Sequence, residues 1–372
     1  MRLSSLLAVV ALATEATVAT SSSSACGCTK PLVRKEWRTL STAQKKEYIT
    51  AVKCLASKPS QTGGIYEGAK SRYDDFVATH IVNTDDVHFV LTSLGILPSV
   101  SASFGTACSS TSTSKTFGAC AATLAHSLIG TNKYPDWSLD SDSAEAFLNS
   151  PLFDPKTGFG GNGPFVDSTG WTNITRQIPD KLGGGCVVDG PFVESEFKCN
   201  MGPEKTTAYN PRCMRRDIAP SFAVSKLNQA KVDWTLEAKD YYEFDIRVEG
   251  GITVPTHGYH GGGHLGIGGD LGEVGDVYTS PGDPLFYMHH ANMDRLWNKW
   301  QHLDWDTRKS DISGPDTQFA YPFDFFGADP AYKNITLDYV MNFNELIPDR
   351  QYIKVKEVMD IQGGLLCYKY QE

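Results

Sequence analysis

Residues 257–300 read HGYHGGGHLGIGGDLGEVGDVYTSPGDPLFYMHHANMDRLWNKW and hold five of the nine histidines. His260 and His264 are spaced i, i+4, so a helix would put both imidazoles on one face. A turn-rich loop follows, then Asp283-Pro284-Leu285-Phe286-Tyr287-Met288-His289-His290 and Ala291-Asn292-Met293-Asp294. Two imidazoles from one helix and a third from a second helix would make a three-nitrogen metal site. All-imidazole sites suit Cu, Zn, Fe or Ni. The zinc-protease pattern HExxH is excluded, because Gly261 follows His260.

HxxxH followed by DPxFxxHHxxxD resembles the second copper half-site of the tyrosinases, the type-3 copper oxidases, and above all their secreted fungal members. The resemblance implies a mainly α fold, a four-helix-bundle copper core with long loops and short peripheral strands. It implies His260, His264 and His290 as copper ligands, with His289 at the position of a non-ligand neighbour. His289, Asn292 and Asp294 become candidates for orienting the ligand imidazoles. The alternative for Asn292 and Asp294 is helix capping and helix-side hydrogen bonding.

Residues 71–90, SRYDDFVATHIVNTDDVHFV, read as a helix around Tyr73–Val82 and then a loop. By the same resemblance His80 and His88 stand where the first two ligands of the other half-site belong. Residues 91–130 then break the pattern: they are rich in Ser, Thr and Ala, with one Lys and no Asp, Glu or Arg. The family would place here a Trp/Phe-His-Arg segment carrying the third ligand, a Tyr-Glu helix and a Pro-Tyr-Trp-Asp-Trp loop. None is present; His126 is the one nearby histidine. Either the stretch is a low-complexity insertion, or it is translated out of frame. Regrouping each codon's third base with the next two bases lets Phe104–Ala107 spell Trp-His-Arg and Leu124–Thr131 end in Pro-Tyr-Trp-Asp. In that case Cys108, Cys120 and His126 are artefacts.

The remaining features set the context. An apolar fraction of 41% supports a real core. A net charge of -9 argues against a nucleic-acid partner. Residues 1–20 read as a signal peptide, its apolar run too short to span a membrane. The expectation is a secreted protein with one copper-binding domain over 26–372, too short for the C-terminal shielding domain of longer precursors. Nine cysteines, all beyond residue 25, then point to disulfides, with Cys186, Cys199 and Cys213 holding a loop region. Asn173-Ile174-Thr175 and Asn334-Ile335-Thr336 are glycosylation acceptors.

Ser41 is an N-cap candidate for a helix carrying Tyr48, Val52 and Leu55. Ser221 to Trp234 reads as helical, with Phe244 on a later helix face, and Ile353–Val358 as a strand. Trp137, Phe147, Phe153, Phe159, Phe165 and Trp171 read as core anchors. Arg215 and Arg216 read as structural ion-pair partners, and His257 and His302 as surface or outer groups.

The resemblance implies two coppers, a phenolic substrate and dioxygen, with o-diphenols and potentially monophenols oxidised to o-quinones. Gly261 stands where monophenol-hydroxylating relatives often have Asn, which makes catechol oxidation the safer expectation. Asp86, two before His88, replaces the Cys of members with a Cys–His thioether. The competing expectation is a degenerate copper binder without turnover, because five ligands are visible rather than six.

Overall fold

The computed structural model describes residues 28–87, 133–172, 174, 177–251, 253–316, 333–343, 346, 352–363 and 365–371. The expected signal peptide at 1–20, His88, the 91–130 stretch and Asn173 lie outside the described residues. The described chain is mainly helical, with short peripheral strands and long loops.

Helix α1 (Thr42–Ser57) starts at Ser41, whose hydroxyl accepts from Gln44 N while the Gln44 side chain accepts from Ser41 N. Its buried residues Tyr48, Ile49 and Val52 face the core. Helix α2 (Arg72–Val87) outruns the expected Tyr73–Val82 by a turn at its C-terminal end, and Asp74 and Asp75 in its first turn suit the helix dipole. The run from Ser221 divides into α4 (Pro220–Leu227) and α5 (Gln229–Leu236), after the short α3 (Ala144–Leu148). The break falls at Asn228, whose side chain accepts from Lys231 N and caps α5. Then come α6 (Tyr241–Glu249), α7 (Tyr259–Gly268), α8 (Leu285–Leu303) and α9 (Trp305–Arg308).

Strand β1 (Leu32–Arg34) pairs in parallel with β4 (Tyr368–Tyr370), and the Cys28–Cys367 disulfide staples the same two ends. Strands β2 (Val340–Asn342) and β3 (Tyr352–Lys354) are antiparallel. The expected Ile353–Val358 strand stops after Lys354, because Val355–Glu357 turns into a 3-10 helix.

Trp37, Trp137, Trp297 and Trp300 are among the largest fully buried side chains. Each contributes roughly 1.5–3 kcal/mol or more by apolar burial. Trp137, Phe147, Phe153 and Phe159 are core residues as expected, but Phe165 and Trp171 are 61% and 42% exposed among the described residues. They sit on turn-rich chain held by backbone hydrogen bonds and by Ser168, whose hydroxyl donates to Asp270 at 2.7 Å. Cys186 and Cys213 are bridged, whereas Cys199 is free and buried. Arg216 is the ion-pair partner expected: its guanidinium grips Asp283 at 2.9 and 3.1 Å in full burial. Arg215 stays exposed.

Asp283 also accepts from Leu285 N at 3.0 Å and so starts α8. A buried pair with this geometry fixes direction more than it adds stability. Its effect is to pin the start of α8 to the loop at 160–161, whose carbonyls Arg216 also grips.

Candidate metal centre

The α6–α7 connection brings two distant groups together. Gly250 ends α6 with φ 67°, and Gly258 N donates to Glu249 O at 2.8 Å. A Cβ on Gly258 would lie 2.1 Å from Val248 O, so only glycine allows this return. As a result α7 begins beside the end of α6, and His260 Nδ1 donates to Glu249 Oε2 at 3.0 Å.

Helix α7 carries glycines at 261, 262, 263, 266 and 268, each costing about 1 kcal/mol in helix propensity. Packing offsets that. A Cβ at 262 would meet Lys226 at 2.4 Å, at 266 Ala223 at 2.7 Å, and at 268 Gly275 N at 2.1 Å. The glycines let α4 and the following loop close onto α7.

Three ring nitrogens then converge. His264 Nε2 lies 3.0 Å from His260 Nε2 and 3.1 Å from His290 Nε2. These separations suit the edges of a coordination polyhedron with metal–nitrogen bonds of about 2.0 Å. Two Nδ1 atoms are tied outward, His260 to Glu249 and His264 to Val274 O at 2.7 Å. Each Nδ1 therefore carries the proton, and each Nε2 lone pair is turned inward. His290 Nδ1 has no hydrogen-bond partner among the described residues. Burial drives His260 down to about 3, and burial with the neighbouring imidazoles drives His290 down too, so both are neutral at pH 7. A buried cluster of neutral imidazoles with converging lone pairs fits a soft-to-borderline cation such as copper.

His289 adjoins the same cluster, and its ring could be grouped with His260 and His264 as a ligand set. Its hydrogen bonds argue otherwise. The Trp137 indole donates to His289 Nδ1 at 3.2 Å, and His289 Nε2 lies 3.0 Å from His260 O. An indole N–H can only donate, so Nδ1 accepts and Nε2 is protonated. Neither nitrogen is left for a metal. His289 instead orients the backbone of His260, and its ring runs nearly parallel to the His260 imidazole, at 9° and 5.9 Å.

His80, on α2, points its Nδ1 at Tyr278 O, 2.8 Å away. Its ring meets Phe286 edge-on at 5.1 Å, while Phe286 lies 4.1 Å from the His290 ring. Phe286 thus stands between His80 and the triad. Burial lowers His80 to about 4, with a further repulsive contribution from His260.

Asn292 and Asp294 do not make the contacts expected of them. Asn292 donates to Tyr259 OH at 2.9 Å and accepts from Arg295 at 3.2 Å. Asp294 accepts from Arg34 at 3.1 Å, from Tyr368 OH at 2.8 Å and from Tyr370 OH. Asn292 lies about 200° round α8 from His290, and Asp294 shares the His290 face but sits one turn farther along. His302 is exposed.

Glu249 was not singled out by sequence reasoning. A carboxylate ending a helix before a Gly-Gly turn, eleven residues ahead of His260, is the available signal, since ligand histidines usually pair outward with such groups. Asp245, one turn earlier, is also buried, and burial together with Glu249 holds its carboxyl well above the usual range.

The common central domain of tyrosinase matches residues 128–303. N-acetyl-6-hydroxytryptophan oxidase ivoB of Emericella nidulans is 33% identical, across 98% of this chain and 99% of that protein. Tyrosinase P of Aspergillus terreus is 31% identical, across 92% of this chain and 93% of that protein. A solved polyphenol oxidase variant from Thermothelomyces thermophila is similar with a TM-score of 0.72 at 29% identity, covering 94% of this chain and 91% of that one.

Proposed function

The chain belongs to the tyrosinase family, and from that premise we propose that it is a secreted copper oxidase turning o-diphenols into o-quinones with dioxygen. It has the family's mainly helical copper-protein fold. The observation that carries the reading is the convergence of the His260, His264 and His290 Nε2 atoms, with the first two imidazoles tied outward by their Nδ1 atoms.

In this reading His260, His264 and His290 hold one copper, and His80 and His88 contribute to a second. Bound copper supplies the electron exchange between phenol and dioxygen. The chain's own groups do the rest. Glu249 fixes the His260 tautomer, and Val274 O fixes that of His264. Phe286 separates His80 from the triad and gives an aromatic ring something to pack against. Burial keeps the imidazoles neutral, which leaves their lone pairs for the metal. The substrate class takes in hydroxylated aromatics of the kind that the Emericella relative's name describes. No helix among the described residues is long and apolar enough to cross a membrane.

A second reading is a copper binder without turnover. Residues 91–130 lack the family's third-ligand segment, and the central-domain match begins only at residue 128. Copper content with a catechol assay separates the two. Two coppers per chain and catechol turnover support the oxidase. One copper and no turnover support the binder. Coding DNA across codons 88–132 decides whether a shifted frame restores Trp-His-Arg and Pro-Tyr-Trp-Asp.

A further inference from the structure

The chain between α7 and α8 meets a histidine from each half-site. Val274 O, in a short 3-10 turn at Glu273–Gly275, accepts from His264 Nδ1 at 2.7 Å. Tyr278 O, four residues on, accepts from His80 Nδ1 at 2.8 Å. A carbonyl can only accept, so both Nδ1 atoms carry the proton and both Nε2 atoms keep the lone pair. His264 sits on α7 and His80 on α2, so one short segment sets the tautomer of rings from two helices. That segment is firmly held. Asp276 stands midway between the two carbonyls. Its Oδ1 accepts from Tyr278 N at 2.9 Å and Thr279 N at 2.8 Å, and its Oδ2 accepts from Glu204 N at 2.8 Å. Val274 lies against α7, where a Cβ on Gly268 would stand 2.9 Å from its carbonyl carbon. Tyr278 grips α2 a second time, its hydroxyl donating to Asp85 Oδ1 at 3.0 Å. The buried Glu273 pairs with Arg212.

Resting on the oxidase reading above, which takes His80 and His264 as ligands of different coppers, we propose that residues 274–278 form one strap that orients an imidazole in each half-site, and that Asp276 is the positioning residue that holds it. Three backbone N–H groups on the Asp276 carboxylate fix the turn, and the turn aims both carbonyls. The two half-sites are then not set independently. A change at Asp276 reaches His264 and His80 together. It passes by His260, whose Nδ1 is held by Glu249 on α6 and not by the strap. His260 is therefore a control within the same molecule, because general loosening of the fold would move all three rings.

The test uses the full-length chain without metal, carrying isotope-labelled histidine, and reads the imidazole N–H protons by nuclear magnetic resonance. Single His→Gln changes at 80, 260 and 264 assign the signals. Hydrogen-bonded Nδ1 protons are expected on all three rings of the wild type. In Asp276→Ala those of His80 and His264 are expected to shift or broaden together while that of His260 keeps its place. Asp276→Asn keeps an oxygen for Tyr278 N and Thr279 N but loses the Glu204 contact, so it is expected to move the same two signals by less. Zinc affinity at His260, His264 and His290 is expected to fall about tenfold in the alanine variant, the lower end of what losing an outer partner costs. Movement of one strapped ring without the other, of neither, or of His260 to the same degree overturns the inference, as does unchanged zinc affinity. If Asp276→Ala does not fold, as judged by circular dichroism, Asp276→Asn decides by the same signals. Absence of catechol turnover in the copper-loaded wild type overturns the oxidase reading and leaves the strap standing on the histidine signals.

Discussion

His289 Nε2 donates to the backbone carbonyl of His260 at 3.0 Å, while the next residue, His290, turns its own Nε2 to within 3.1 Å of His264. Two adjacent histidines thus take opposite parts, one holding the ligand helix and one joining the triad. His290→Ala is expected to abolish copper at this half-site. His289→Phe is expected to keep copper stoichiometry but to lose about 1–3 kcal/mol of stability, since the buried Trp137 N–H is left unpaired and His260 O loses the donor it has beyond the helix. Metal analysis and urea denaturation of both variants check this. Equal copper loss in the two would refute the assignment.

Glu249 acts on the metal through His260. Glu249→Gln can still accept from Nδ1 but loses the charge, whereas Glu249→Ala loses both. Copper affinity measured against a competing chelator is expected to fall about tenfold in the first and nearer a hundredfold in the second. An alanine variant with wild-type affinity would remove Glu249 from the site.

Gly263 owes its identity to the ring above it. A Cβ there would stand 2.2 Å from a buried, doubly hydrogen-bonded imidazole that cannot swing aside. Gly263→Ala is expected to cost about 2–4 kcal/mol by overpacking. Gly64→Ala, with nothing within 4 Å of the new methyl, should be neutral or slightly stabilising. Thermal denaturation of the pair tests whether contact, not glycine content, sets the cost.

Asp294 is an anchor for the chain ends. It neutralises the fully buried Arg34, whose guanidinium lies 3.3 Å over the Tyr368 ring. Asp294→Asn strands that charge, so a loss of about 3–5 kcal/mol is expected, with copper stoichiometry retained once the protein is folded. Loss of copper from a variant of native stability would instead place Asp294 in the metal site.

The metal-free protein should weaken in acid through His80. Its folded pKa, about 4, lies below the 6.5 of the unfolded chain because burial disfavours the imidazolium. The unfolded state therefore binds more protons between those values, so this contribution is absent above pH 6.5 and grows as pH falls towards 4. His80→Gln should remove on the order of 2 kcal/mol of that acid sensitivity. Parallel pH–stability curves for the two proteins would contradict it.

The local pattern was legible in the sequence. The i, i+4 spacing of His260 and His264 put both on α7, and Ser41 capped α1. These features depend on neighbours within a turn or two, where backbone geometry leaves few options. Long-range packing decided the rest. Glu249 reaches His260 only because Gly250 and Gly258 reverse the chain. Asp294 meets β1 and β4 rather than an imidazole, because it shares the His290 face but lies one turn, about 6 Å, farther along α8, where those two strands pack. Spacing fixes which side of a helix a residue occupies; what waits on that side is set by chain arriving from hundreds of residues away.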